Sequence, residues 1–176
     1  MFRLLSLLLV MVPAWAVSAT PQFDARLITL TQGIFCEVES SDSVAAPGTV
    51  AGKIDLYDYV PEFQWIGGRV PAVMGLSFGL RSVTVSDQPL QGVVISLTHP
   101  PFRGSGATQQ SYVTSLGGPG PSINAYTFDL PEELVTGTWT FTANHNGREV
   151  YRASFEVVPP QAEPEIANSC GGAPMS

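Results

Sequence analysis

Gly137-Thr-Trp-Thr-Phe-Thr-Ala-Asn-His-Asn-Gly-Arg-Glu-Val-Tyr-Arg-Ala-Ser-Phe-Glu-Val-Val158 alternates apolar and polar residues on both sides of Asn146-Gly147. That is the signature of two antiparallel strands joined by a tight turn. Because side chains alternate faces along a strand, a slip of one residue in pairing turns every side chain to the opposite face. A two-residue loop at Asn146-Gly147 sets Phe141 opposite Arg152 and Trp139 opposite Ser154, mixing the apolar face of one strand with the polar face of the other. A three-residue loop, His145-Asn146-Gly147, sets Phe141 opposite Tyr151 and Trp139 opposite Ala153, with Phe155 and Val157 continuing the same face. The second register is the one expected, with Gly147 in the left-handed conformation that a type I turn plus bulge requires.

The same two-residue period recurs upstream. Ile28, Leu30, Ile34 and Cys36 share one face of a first strand over 27 to 38, and a second strand pair is placed in 72 to 85, where Leu76, Phe78 and Leu80 alternate with Ser77, Gly79 and Arg81. Val93, Ile95 and Leu97 form a strand stopped by His99-Pro100-Pro101, because proline lacks the ladder donor and restricts the residue before it. Gln109 to Leu116 is a weaker strand, and Asn124 to Leu130 carries Tyr126 and Phe128 on one face. Residues 40 to 69 read as a long connection with one short strand, and Pro131-Glu-Glu-Leu134 as a single helical turn. About seven strands separated by Gly/Pro turns, with no sustained helical period, predict an immunoglobulin-like antiparallel β-sandwich.

With 44% hydrophobic and 13% charged residues in 176 positions, the chain has the composition of one globular domain. Its net charge of −7 disfavours nucleic acid and anionic membrane surfaces as partners. Residues 1 to 19 read as a secretory signal peptide: Arg3, the apolar run Leu4 to Val12, then small residues ending at Ala19, the favoured cleavage site. The run is shorter than the ~20 residues that span a bilayer, so no membrane span is expected after cleavage. An exported chain meets an oxidising compartment, and the two cysteines, Cys36 and Cys170, are expected to pair. The sandwich domain is placed at 20 to 158. Residues 159 to 176, rich in proline and glutamate, are expected to be a flexible tail.

Several blocks together resemble a known family: Val70-Pro-Ala-Val-Met-Gly-Leu-Ser-Phe-Gly79, Leu97-Thr-His-Pro100, Phe128 to Glu133, Gly137-Thr-Trp-Thr-Phe141 and Phe155-Glu-Val157. They are similar to the bacterial family catalogued as domain of unknown function 3859, over about residues 27 to 158. The resemblance implies an immunoglobulin-like domain, usually exported, with no assigned chemistry and no catalytic residue to carry over.

Three constellations bear on chemistry. Gly75-Leu-Ser-Phe-Gly79 fits the nucleophile-elbow pattern around Ser77, with Asp129 and His145 following in hydrolase order. The elbow needs a helix after the turn, and the residues here continue as a strand, so catalysis is not expected. His99 and His145 are the only histidines. A metal-handling module built on them is the alternative reading, set against solvated loop histidines, since metal sites want three or four convergent ligands. Asp55, Asp58 and Glu62 interleave with Tyr57, Tyr59, Phe63 and Trp65, and Tyr57, Tyr59 and Trp65 are the candidate ligand-binding residues. The whole reads as an exported, periplasmic binding or accessory module. Neither enzyme activity nor a cofactor is expected, and the partner is expected to be a protein, peptide or glycan.

Overall fold

The computed structural model describes residues 20–170, so the signal-peptide reading of 1 to 19 and the last six residues lie outside the described residues. Seven strands of six residues or more carry the sandwich: β2 (Ile28–Cys36), β7 (Leu76–Thr84), β8 (Leu90–Thr98), β9 (Gln109–Leu116), β10 (Ser122–Thr127), β11 (Gly137–His145) and β12 (Arg148–Val158). Short strands accompany them: β1 (Gln22–Phe23), β3 (Asp42–Ala45), β4 (Lys53–Leu56), β5 (Trp65–Ile66) and β6 (Arg69–Pro71). One sheet runs β1-β12-β11-β8-β9, with β6 adding parallel to the far end of β12. The facing sheet runs β10-β7-β2-β5, and β3-β4 is a separate hairpin.

The apolar positions of the two-residue period meet between the sheets. Phe78 of β7 and Trp139, Phe141 and Phe155 of β11 and β12 are at most 1% exposed. Trp139 also donates its indole N–H to the Val135 carbonyl (3.1 Å), so its single polar atom is satisfied inside the core.

The β11-β12 register differs from the one expected. His145 faces Arg148 and Asn144 faces Glu149, which leaves a two-residue Asn146-Gly147 loop. Their φ values of 49° and 75° are those of a type I′ turn, whose twist matches the flanking strands. The ladder then shifts between Ala143 and Asn144, so that Tyr151 faces Ala143, Ala153 faces Phe141 and Phe155 faces Trp139. Val150 is the extra residue of a β-bulge, and both Val150 and Tyr151 are buried. The bulge repairs the mismatch of faces that counted against the short loop.

The 40 to 69 connection has more structure than expected. After β4 the chain crosses the outer face of the β10-β7-β2-β5 sheet, laying the Phe63 ring on Gly33 and pairing Arg81 with Glu62. A Cβ at position 33 would stand 2.3 Å from the Phe63 ring, so only glycine admits this covering. Gln64 Oε1 accepts from the Cys36 amide (3.0 Å), and β5 then pairs with β2.

The segment after Val158 also departs from expectation. Instead of a structureless tail, it forms a 3-10 turn (Pro160–Ala162) and a helix, α1 (Pro164–Cys170), that buries Ile166 and Ala167. Arg69 pairs with Glu163 at its start, and Cys170 is bonded to Cys36 at its end, with Cα atoms 4.9 Å apart. A helix this short has little stability of its own; these anchors hold it.

Candidate functional site

The two sheets do not close on each other along β9 and β10. Sequence explains the gap: before Leu116 rejoins the core, the inward positions of β9 are Gln110, Tyr112 and Thr114 where the neighbouring strands carry buried apolar residues, and β10 turns Asn124 and Tyr126 inward. The β3-β4 hairpin and the residues around it cover the opening. Ser111 of β9 donates its amide to the Gly48 carbonyl (2.9 Å), and the Val50 amide donates to Gln110 Oε1 (2.7 Å). What remains is a cleft of about 280 Å³ between β9, β10 and β4, reaching down to Leu97 and Phe141.

The cleft floor is polar but satisfied. Tyr112 donates to Asn124 Oδ1 (3.1 Å), and the Tyr126 phenol lies within hydrogen-bonding reach of Glu133 and Gln110. Burial pushes the Tyr112 phenol far above its ordinary range; burial and the Glu133 carboxylate do the same for Tyr126, so both stay protonated donors. Glu133, 4% exposed, accepts from the Asp129 and Leu130 amides (2.9 and 3.1 Å) and needs no cation to sit there. Lys53 and Asp55 form an ion pair at the rim (2.7 Å).

Asp129 stands at the rim as well, with no cation partner among the described residues. Partial burial of its carboxylate, together with Glu37, Glu133 and Asp55, lifts it to about 6 although the residue is exposed. A carboxyl whose folded value lies above the unfolded one, about 3.9, stabilises the fold below that unfolded value and loses the contribution as pH rises through about 6. Thermal melts from pH 4 to 7 are therefore expected to lose more stability in the parent chain than in Asp129→Asn. The difference between the two curves isolates Asp129 from other titrating groups, and water at the exposed rim keeps it small.

The structure separates the candidates read from sequence. Tyr57 and Tyr59 line the cleft, Tyr57 within hydrogen-bonding reach of Thr127. Trp65 does not join them: it sits on β5, at the opposite edge of the sheet from β10, packed against the core. Ser77, Asp129 and His145 are not brought together. Ser77 is the second residue of β7, its hydroxyl 2.7 Å from that of Thr127, and the chain after it continues as strand to Thr84.

His99 is not the solvated loop residue expected. It is 6% exposed and stacked between Phe102 and Trp139, with ring centroids 3.9 and 4.7 Å away. Its Nδ1–H donates to the Pro100 carbonyl (2.8 Å), and burial pushes it below the usual histidine value, which keeps the ring neutral. His145 ends β11 next to the hairpin turn, accepting at Nε2 from Asn146 (2.9 Å). His99 stacks on Trp139, and six residues of β11 at about 3.3 Å each put His145 about 20 Å away. The pair does not form one metal site, and no group of three or more His, Cys, Asp or Glu suited to a metal occurs among the described residues.

Sequence reasoning missed Gln110, Tyr112, Asn124, Tyr126 and Glu133. The trace was there in the weak alternation of Gln109 to Leu116, whose polar inward positions mark a strand that faces a cavity and not a core.

A family model described as Domain of unknown function (DUF3859) matches residues 25–157. The crystal structure of an immunoglobulin-like protein from Pseudomonas aeruginosa superposes with a TM-score of 0.51 at 19% identity, covering 81% of this chain and 100% of that one. It shares the fold. Pseudomonas fluorescens alkylpurine DNA glycosylase AlkC, bound to DNA containing an abasic-site analogue, aligns at a TM-score of 0.30 and 14% identity, over 51% of this chain and 27% of that one. That likeness is too slight to carry an argument. No curated protein matches the chain. Among the described residues no helix is long and apolar enough to cross a membrane.

Proposed function

This chain belongs to the family described as Domain of unknown function (DUF3859), and from that premise we propose that it is an exported, periplasmic binding module without catalytic activity, taking its ligand in the cleft between β9, β10 and β4. The observation that carries the reading is the cleft itself: about 280 Å³, open at the rim, with Tyr57 and Tyr59 among its walls and Tyr112, Tyr126 and the side-chain amides of Gln110 and Asn124 in its floor. An apolar and aromatic cavity with a few fixed polar groups is the usual form of a ligand site. The Cys36–Cys170 disulfide supports an oxidising compartment. A peptide or a glycan fits the wall chemistry, since tyrosine presents a flat apolar face and a polar edge to either.

Two-dimensional amide NMR of the described domain, titrated with peptide and glycan probes, tests the location. Shifts are expected at Thr114, Ala125 and Tyr59, and Tyr59→Ala, at a residue 60% exposed and so neutral to folding, is expected to weaken binding about three- to tenfold. Shifts confined to Trp65 or to the 145–148 turn overturn the site, as does a full probe set that moves no cleft amide.

A further inference from the structure

The cleft follows an unpaired strand edge. β10 pairs on one side only, with β7. Phe128 donates its amide to the Leu76 carbonyl (3.1 Å) and accepts from the Gly75 amide (3.0 Å), which fixes the phase of the ladder. Antiparallel pairing alternates residue by residue, so Ser122, Asn124 and Tyr126 turn their backbone groups to β7, while Ile123, Ala125 and Thr127 turn theirs away. All three of the latter line the cleft, and none makes a further backbone bond among the described residues. The edge of β9 is treated differently: Gly48 covers it at Ser111. An open edge beside a covered one is a template for another strand.

Charge selects what that strand carries. Asp55, Asp129 and Glu133 line the cleft against one cation, Lys53, already bonded to Asp55, and the whole chain is at −7. The Tyr57 and Tyr59 rings stand where an ammonium or guanidinium could rest on them.

We propose that the ligand is an extended, basic peptide segment that adds as a strand to the β10 edge, its backbone bonded to Ile123, Ala125 and Thr127 and its Lys or Arg side chains drawn to Asp129. This rests on the cleft being the binding site. Five residues of edge, Ile123 to Thr127, span about 16 Å, enough for a peptide of five or six residues.

The probe is an end-blocked hexapeptide of alternating lysine and threonine, titrated into the full chain at low salt by calorimetry. Its counterparts alternate glutamate and threonine, or carry N-methyl groups on alternate amides of the basic peptide. The basic peptide is expected to bind, with the acidic one at least about tenfold weaker. N-methylation in the pairing phase and Ala125→Pro are each expected to cost about tenfold. Proline at position 125 removes only the N–H that faces the cleft, the one placement a sheet edge tolerates. The methylated peptide gives the same answer with the protein untouched, should the proline variant misfold. Asp129→Asn, at an exposed position, is expected to weaken binding about threefold. Equal affinity for the basic and acidic peptides, or indifference to both backbone changes, overturns the proposal. Glycan probes that shift cleft amides while the basic peptide does not would overturn it and leave the cleft as the binding site; if neither probe shifts them, both readings fall.

Discussion

Phe78→Ala is expected to cost about 3–5 kcal/mol of unfolding free energy. Phe78 is fully buried and is the ring on which both sheets converge, with centroids at 5.0 Å from Phe155, 5.4 Å from Phe128, 5.5 Å from Trp139 and 6.1 Å from both Phe141 and Tyr126. These neighbours come from β7's own sheet and from the opposite one, so none can move inward without leaving a partner. A domain of this size commands about 5–15 kcal/mol in total, so the variant is expected to sit at the margin of folding. Urea denaturation measures it, with Val83→Ala as the control. Val83 lies on the same strand, 41% exposed, and its truncation is expected to stay within about 0.5 kcal/mol. A loss for Phe78→Ala no larger than the control's would mean that the two sheets do not close on this ring.

The second large effect concerns the sulfurs. Cys36 and Cys170 are 134 residues apart, and joining them restricts the unfolded chain by about 4–5 kcal/mol in the chain-entropy treatment. Removing native disulfides typically costs about 2–5 kcal/mol, and the same range is expected for the Cys36→Ser, Cys170→Ser double variant. Helix α1 should be released with it, because Ile166 and Ala167 offer little apolar area to hold seven residues in place. Limited proteolysis should then cut beyond Pro159 in the double variant and spare the parent. If both forms resist equally, the helix is held by its packing and the Arg69–Glu163 pair, and the bond contributes only through the unfolded state.

How far the sequence could be read depended on where each element finds its partners. The long strands were legible because each carries several apolar residues at alternate positions, and the sandwich follows from pairing those faces. Strands β3 to β6 were not, apart from one short strand expected in that stretch. Each has two to four residues, too few for a period, and three of these, β4 to β6, follow turns and crossings set by distant contacts such as Phe63 on Gly33. The hairpin shows a subtler failure. Matching faces is a sound criterion, but it has two solutions, a longer loop or an extra residue within one strand, and nothing in Glu149-Val-Tyr151 marks Val150 as the extra one. Helix α1, seven residues long, is too short to show a period, and what holds it, the Cys36–Cys170 bond and the Arg69–Glu163 pair, depends on partners far along the chain. In the site, Tyr57 and Tyr59 stood out as aromatic residues in a polar run. Gln110, Asn124 and Glu133 come from three separate segments, and only the fold gathers them. His99 was misjudged because the following prolines suggested an exposed strand end, whereas Phe102 folds back to stack on it.

The crossing of residues 57 to 66 over the outer sheet face gives the molecule an optical signal of its own. Two indoles lie among the described residues: Trp139 in the fully buried interior, and Trp65 half-covered at the end of that crossing. Their emission should differ in colour, the first blue and invariant until the domain unfolds, the second tracking whether the crossing lies flat. Tyr57 and Tyr59 at the start of the same ten residues border the cleft, so a change in Trp65 emission on ligand addition is expected only where the whole crossing shifts.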